Sequence, residues 1–282
     1  MLISLNEALE YAEKKNVGIA AINTPTLEML LAAIRTAERH NVPLILQHAE
    51  VHEDINKIED IGPAMVALAK RSTAPLVVHV DHGESLDYVK RGFEVGFNSA
   101  MIDASRLPYE DNLAVTQEVV ALAAEYGHGV EAELGVMPGR EDGATDTSGV
   151  SAESLYTDPE MAAAFVRDSG VTALACSFGT VHGLYKAEPK LNFELISALR
   201  EKAGGPIVMH GASGLSEAEY RECIRRGVRK INYYTYADKA SFEASQAFLE
   251  AEPDTFTFSP ITVAASRAVE ENLDQLVSIL YS

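Results

Sequence analysis

The chain has 282 residues, 47% of them hydrophobic, enough to bury one large core and matched to a (β/α)8 TIM barrel carried by a single domain over residues 1–282. Its 42 acidic against 23 basic side chains give a formal charge of -19, which excludes nucleic acid and anionic membrane surfaces as partners. A small phosphorylated ligand is still allowed, because a few backbone amides and one cation inside a pocket outweigh a distant net charge.

Short apolar runs bounded by turn residues alternate with amphipathic stretches, the pattern of repeated βα units. In chain order the predicted strands are Val17 to Ile22, Pro43 to Gln47, Leu76 to Asp81, Ser99 to Asp103, Gly129 to Leu134, Thr172 to Ser177, Pro206 to His210 and Val228 to Tyr233. Most are continuously apolar, as parallel strands under helices are, with polar residues entering mainly at their C-terminal ends. After the first strand, Thr24 reads as a cap and Pro25 as the first helical residue, ahead of an apolar face of Leu27, Leu30, Leu31 and Ile34. Asp158 and Pro159 repeat that signal, and Ser216 with Glu219 has capping-box spacing for a helix that stops at Gly227. The long glycine-rich stretch from Gly135 to Ser151 reads as a mobile loop over a site. Extra C-terminal helices, Ala264 to Leu280 among them, are expected outside the barrel. The only cysteines, Cys176 and Cys223, are too few for a disulfide scaffold, and no export signal or membrane-length apolar run is present, so a cytoplasmic location is expected.

In a parallel barrel the C-terminal strand ends converge on one mouth. Here they supply Asp81, His82, Asp103, Glu133, His182, His210 and Asn232. A single strand-end histidine is ordinarily a hydrogen-bonded structural residue. Three of them from three strand ends, with carboxylates nearby, make a ligand set for Zn2+ that keeps one position open for substrate. Cobalt, manganese and iron suit similar ligands. His79, two residues before Asp81, faces the same side and is read as packing; His40 and His128 read as surface or loop residues.

Five segments then become recognisable: VVHVDHG from Val77 to Gly83, GFNSAMID ending at Asp103, VEAELG ending at Gly135, SFGTVHGLYK from Ser177 to Lys186, and IVMHGASG from Ile207 to Gly214. In this order they resemble the class II, metal-dependent fructose-bisphosphate and tagatose-bisphosphate aldolases over nearly the whole chain. The resemblance implies cleavage or formation of the C3–C4 bond of a ketose 1-phosphate or 1,6-bisphosphate, giving dihydroxyacetone phosphate and an aldehyde through a metal-stabilised enediolate. It assigns the catalytic zinc to His82, His182 and His210, and places Asp103 and Glu133 beside it, where a second metal or a monovalent cation is left open. Asp81 then handles the aldehyde oxygen, and Glu141 of the loop is the base at the carbon next to the ketone. Gly183, Gly211, Ser213 and Gly214 suit a phosphate, with Lys186 near that site, while Asn23, Asn232 and Thr235 are substrate contacts. A homodimer or homotetramer is expected on the same ground.

Departures from the relatives fall where substrate is met. Tyr234 stands where they carry an acid, and the run Gln47, His48, Ala49, Glu50, Val51, His52 is bulkier than their serine and small residues. His48, His52 and Tyr234 are therefore the specificity candidates. Two other readings stay open: a metal-dependent sugar-phosphate isomerase or epimerase, separated by whether two carbonyl products form, and a non-catalytic barrel subunit, separated by whether metal binds.

Overall fold

Each predicted apolar run forms a strand in the computed structural model, which describes residues 1–135, 156–184 and 189–282. The strands are β1 (Ile19–Asn23), β2 (Leu44–Ala49), β3 (Leu76–Gly83), β4 (Ser99–Ile102), β5 (Gly129–Leu134), β6 (Ala173–Cys176), β7 (Ile207–Met209) and β8 (Val228–Tyr233). All pair in parallel in sequence order, and β8 closes on β1 with Ala21 opposite Asn232, giving the TIM barrel.

Ten α-helices are present among the described residues: α1 (Leu5–Lys15), α2 (Leu27–His40), α3 (Ile58–Arg71), α4 (Leu86–Glu94), α5 (Tyr109–Tyr126), α6 (Pro159–Ser169), α7 (Phe193–Ala203), α8 (Glu217–Arg226), α9 (Thr235–Ala251) and α10 (Ser259–Leu280). Helix starts follow the expected cap chemistry at Asp158 and in the Ser216–Glu219 capping box. The start of α2 differs from expectation. Thr26, not Thr24, caps it by accepting from the Met29 amide, and Thr24 is buried with its hydroxyl on the Gln47 carbonyl. Pro25 thus lies ahead of the helix, in the extended link between strand and cap.

Strand alternation sorts the side chains into two cores. Outward residues such as Ile22, Leu46, Val78, Ile102, Ala132, Leu174 and Met209 pack under the surrounding helices. Inward residues at the N-terminal end, Ile19, Ala21, Ile45, Val77, Ala173, Ala175 and Val208, pack against Leu5, Ala8, Leu9 and Ala12 of α1. No predicted element corresponds to α1, which closes the barrel floor. The C-terminal pair α9 and α10 packs outside the barrel, α10 lying on α2. Its ion pairs from Glu270 and Asp274 to Arg35, Arg39 and His40 tie it down, and no described helix is long and apolar enough to cross a membrane.

Candidate functional site

By strand alternation, the consecutive residues Asp81 and His82 should point to opposite faces. β3 breaks that rule. Its pairing with β4 shifts register between Val80 and Gly83, and His82 takes a φ of 40°, in the left-handed region that glycine favours. Holding a histidine there costs on the order of 1–3 kcal/mol, and the turn brings both side chains to the barrel mouth.

The His82 ring meets two others, with centroids 4.6 Å from His210 and 5.1 Å from His182. Its Nδ1 donates to Asp103 Oδ2 at 2.8 Å, and Nε2 of His210 donates to Glu131 Oε1 at 2.8 Å. A carboxylate only accepts, so each ring directs its N–H away from the other. The remaining nitrogens, His82 Nε2 and His210 Nδ1, face each other at 2.8 Å. Two lone pairs so placed repel unless a positive charge is shared between them.

The surrounding field favours such a charge. Burial opposes a protonated His82, yet the Asp81 and Asp103 carboxylates prevail and hold its imidazole well above the usual range. Burial, with His82 and His210 beside it, holds His182 well below that range, as a neutral donor. Donor atoms of His82, His182 and His210 lie within 4.8 Å of one another, and so do those of His82, Asp103 and Glu133. Once the proton shared by His82 and His210 is displaced, three imidazole nitrogens converge where the field favours a cation, which fits a divalent metal. Burial, with Asp103 close by, pushes the Glu133 carboxyl up to about 8.

Asp81 sits beside this centre, fully buried and accepting from Asn23 Nδ2 at 3.0 Å and Asn232 Nδ2 at 2.9 Å. Burial alone would raise its carboxyl, but His82, Lys230 and His210 outweigh that and hold it below the usual range, as a carboxylate. Gln47 Nε2 donates to Asn23 Oδ1 at 2.6 Å, which turns the Asn23 amide toward Asp81.

The glycines suggested for phosphate have the backbone freedom that role needs. Gly183 and Gly211 adopt φ of 85° and 62°, and a Cβ on Gly211 would stand 2.5 Å from the Val181 carbonyl, next to His182. Ser213 Oγ accepts from the Tyr234 amide at 3.3 Å, joining that segment to the end of β8, where Thr235 begins α9. Glu141 and Lys186 lie outside the described residues.

Of the specificity candidates, His52 and Tyr234 meet with ring centroids 4.7 Å apart. His48 is different. Alternation along β2 turns Gln47 into the barrel and His48 outward, where its Nε2 donates to the Asn56 carbonyl at 2.9 Å and its Nδ1 accepts from the Tyr88 hydroxyl at 2.6 Å. Both nitrogens are thereby engaged by the protein. His79 faces inward, bonded through Nδ1 to Ser99 Oγ at 2.8 Å, and burial with Lys230 nearby lowers its imidazole to about 3.

Glu131 and Lys230 were not among the candidates in the sequence, although both are fully buried inside the barrel and paired at 2.9 Å. A usable signal was present: each stands two residues before a candidate on the same strand, Glu133 and Asn232, and so shares its inward face.

Comparison with known proteins gives a consistent result. The family model described as fructose-bisphosphate aldolase class-II matches residues 3–282. The 6-phospho-5-dehydro-2-deoxy-D-gluconate aldolase of Halalkalibacterium halodurans is 34% identical over 275 residues, 96% of this chain and 93% of that one. YdjI of Escherichia coli K12 is 37% identical over 246 residues, 86% of this chain and 87% of its own. The crystal structure of the YdjI aldolase superimposes with a TM-score of 0.87 at 32% identity, covering 99% of this chain and 97% of that one.

Proposed function

The chain belongs to the class II fructose-bisphosphate aldolase family and is an aldolase, and from that premise we propose that it cleaves the C3–C4 bond of a ketose 1-phosphate or 1,6-bisphosphate to dihydroxyacetone phosphate and an aldehyde. The observation that carries this reading is the 2.8 Å approach of His82 Nε2 and His210 Nδ1, each with its proton committed to a carboxylate on the far side. That arrangement favours a positive charge, a shared proton or a metal ion in its place, and His82, His182 and His210 would hold the metal, zinc being the divalent ion that three imidazoles suit best. When bound, such a metal ion supplies Lewis-acid stabilisation of the negative charge that develops on the ketose oxygens as the bond breaks.

Asp81 does the proton work on the departing fragment. As a buried carboxylate held by two amide donors, it takes the proton from the C4 hydroxyl in cleavage and returns it to the aldehyde oxygen in synthesis. The proton at the carbon next to the ketone falls to Glu141 on resemblance alone. Gly183, Gly211 and Ser213 offer backbone and hydroxyl donors for the substrate phosphate, at an end of the barrel whose conformations only glycine adopts without strain. Asp103 and Glu133 complete a second group with His82 that suits another cation. Assembly as a homodimer or homotetramer belongs to the same proposal, and light scattering of the purified chain tests it.

The deciding experiment loads the purified protein with zinc and offers it a panel of ketose 1-phosphates and 1,6-bisphosphates, with and without a chelator. Chelator-sensitive release of dihydroxyacetone phosphate is expected. Stoichiometric zinc with no release from any of these substrates would overturn the phosphate-ketose assignment.

A further inference from the structure

Among the described residues, the interior of the barrel holds an ion pair between a lysine and a glutamate that the chemistry above does not use. Glu131 of β5 and Lys230 of β8 meet at 2.9 Å with neither side chain exposed. A buried ion pair is a poor means of stabilising a fold. Desolvation offsets most of its attraction, and a well-packed apolar pair of similar volume is commonly as stable or more so. What this pair touches gives it another role.

Glu131 directs one oxygen to Lys230 and the other to His210 Nε2 at 2.8 Å, which fixes the proton on that nitrogen and leaves Nδ1 as the lone-pair atom facing His82. Lys230 also donates to Asn232 Oδ1 at 2.7 Å. A lysine cannot accept, so the Asn232 amide is held with its oxygen toward Lys230 and its N–H toward Asp81, 2.9 Å away. Three hydrogen bonds and the ion pair in their midst therefore connect His210 through Glu131, Lys230 and Asn232 to Asp81.

We infer that Glu131 and Lys230 are positioning residues, one setting the tautomer of His210 and the other the amide orientation at Asp81, so that a single buried ion pair aligns both halves of the site. This rests on the reading of His82, His182 and His210 as metal ligands.

The test compares two charge-neutral double variants with the parent chain. Glu131→Leu with Lys230→Met removes both hydrogen bonds, whereas Glu131→Gln with Lys230→Met keeps a carbonyl oxygen that accepts from His210. Zinc affinity is measured by chelator competition, and the cobalt-loaded protein reports ligand geometry through its visible absorption. Zinc affinity is expected to fall about 10- to 100-fold in the Leu/Met protein, the usual effect of losing the hydrogen-bond partner of a metal-binding histidine, with an altered cobalt spectrum. The Gln/Met protein should recover most of that affinity while kcat stays low, because Asn232 has lost the donor that orients it. Parent-like zinc affinity and an unchanged spectrum in the Leu/Met protein would overturn the inference. So would failure of both variants to fold, which would assign the pair to stability. Failure of the metal-site reading looks different: the parent chain itself would then bind no zinc.

Discussion

The lower and upper halves of the barrel interior are lined from the same strands with opposite chemistry. Below, Ile19, Ala21, Ile45, Val77, Ala173, Ala175 and Val208 meet α1 in an apolar layer. Two residues further along the same inward faces stand Asn23, Gln47 and His79, with His210, Glu131 and Lys230 closing the ring and Asp81 one step above. Every one of these polar residues is buried, so burial does not distinguish the halves. What differs is what fills each layer: apolar area removed from water in the floor, hydrogen bonds and ion pairs among buried polar groups in the mouth. Stability and chemistry are thus separated along the strand axis, and substitutions in one half should leave the property of the other intact.

The largest expected effect lies in the mouth. His210→Ala should lower kcat/KM for aldol cleavage roughly 10,000-fold, the equivalent of the several kcal/mol of charge stabilisation a metal supplies. Bound zinc should fall in parallel, while the melting temperature stays near that of the parent. A large drop in melting temperature would show that the upper layer also carries the fold. Asp81→Asn keeps shape and removes the charge. A loss of about 1,000-fold in kcat is expected, within the range for one acid–base group, with zinc content unchanged. Zinc lost together with activity would place Asp81 in the metal site instead.

Leu5→Ala addresses the floor. Leu5 is fully buried in the plug, and its truncation should cost about 2–5 kcal/mol in urea unfolding with kcat/KM within about twofold of the parent. A comparable fall in activity would break the separation of the halves. Gly211→Ala tests where they join. Its φ of 62° and the 2.5 Å approach of a Cβ to the Val181 carbonyl predict a loss of about 1–3 kcal/mol, with weakened zinc binding because Val181 precedes His182. Stability lost with zinc affinity unchanged would show that the displaced backbone does not carry the histidine with it. Ser216→Ala, at the capping box of α8, should cost only about 1 kcal/mol and leave both zinc and activity alone.

Much of this was legible from local chemistry. Eight apolar runs fixed the number and order of strands, because a parallel strand under helices is apolar on its outer face whatever the fold around it. Motifs at the strand ends marked Asp81, His82, Asp103, Glu133, His182 and His210, since a parallel barrel sends those ends to one mouth. Strand periodicity also held the answer for His48, whose outward position follows from its being next to the inward Gln47.

Other features depend on contacts distant in sequence. The left-handed turn at His82 exists because β3 slips against β4, and nothing in the run VVHVDHG announces it. The plug formed by α1 reads as an ordinary amphipathic helix until the barrel it closes is assembled. Glu131 and Lys230 are 99 positions apart, and nothing local to either strand names the other as its partner. Closure of the barrel puts them 2.9 Å from each other. The sequence determined which groups are available and which strand end each occupies, since those follow from residue type and a two-residue period. Only the tertiary structure decided which nitrogen of His210 carries the proton and which way the Asn232 amide faces, because both are set by partners that folding brings from other strands.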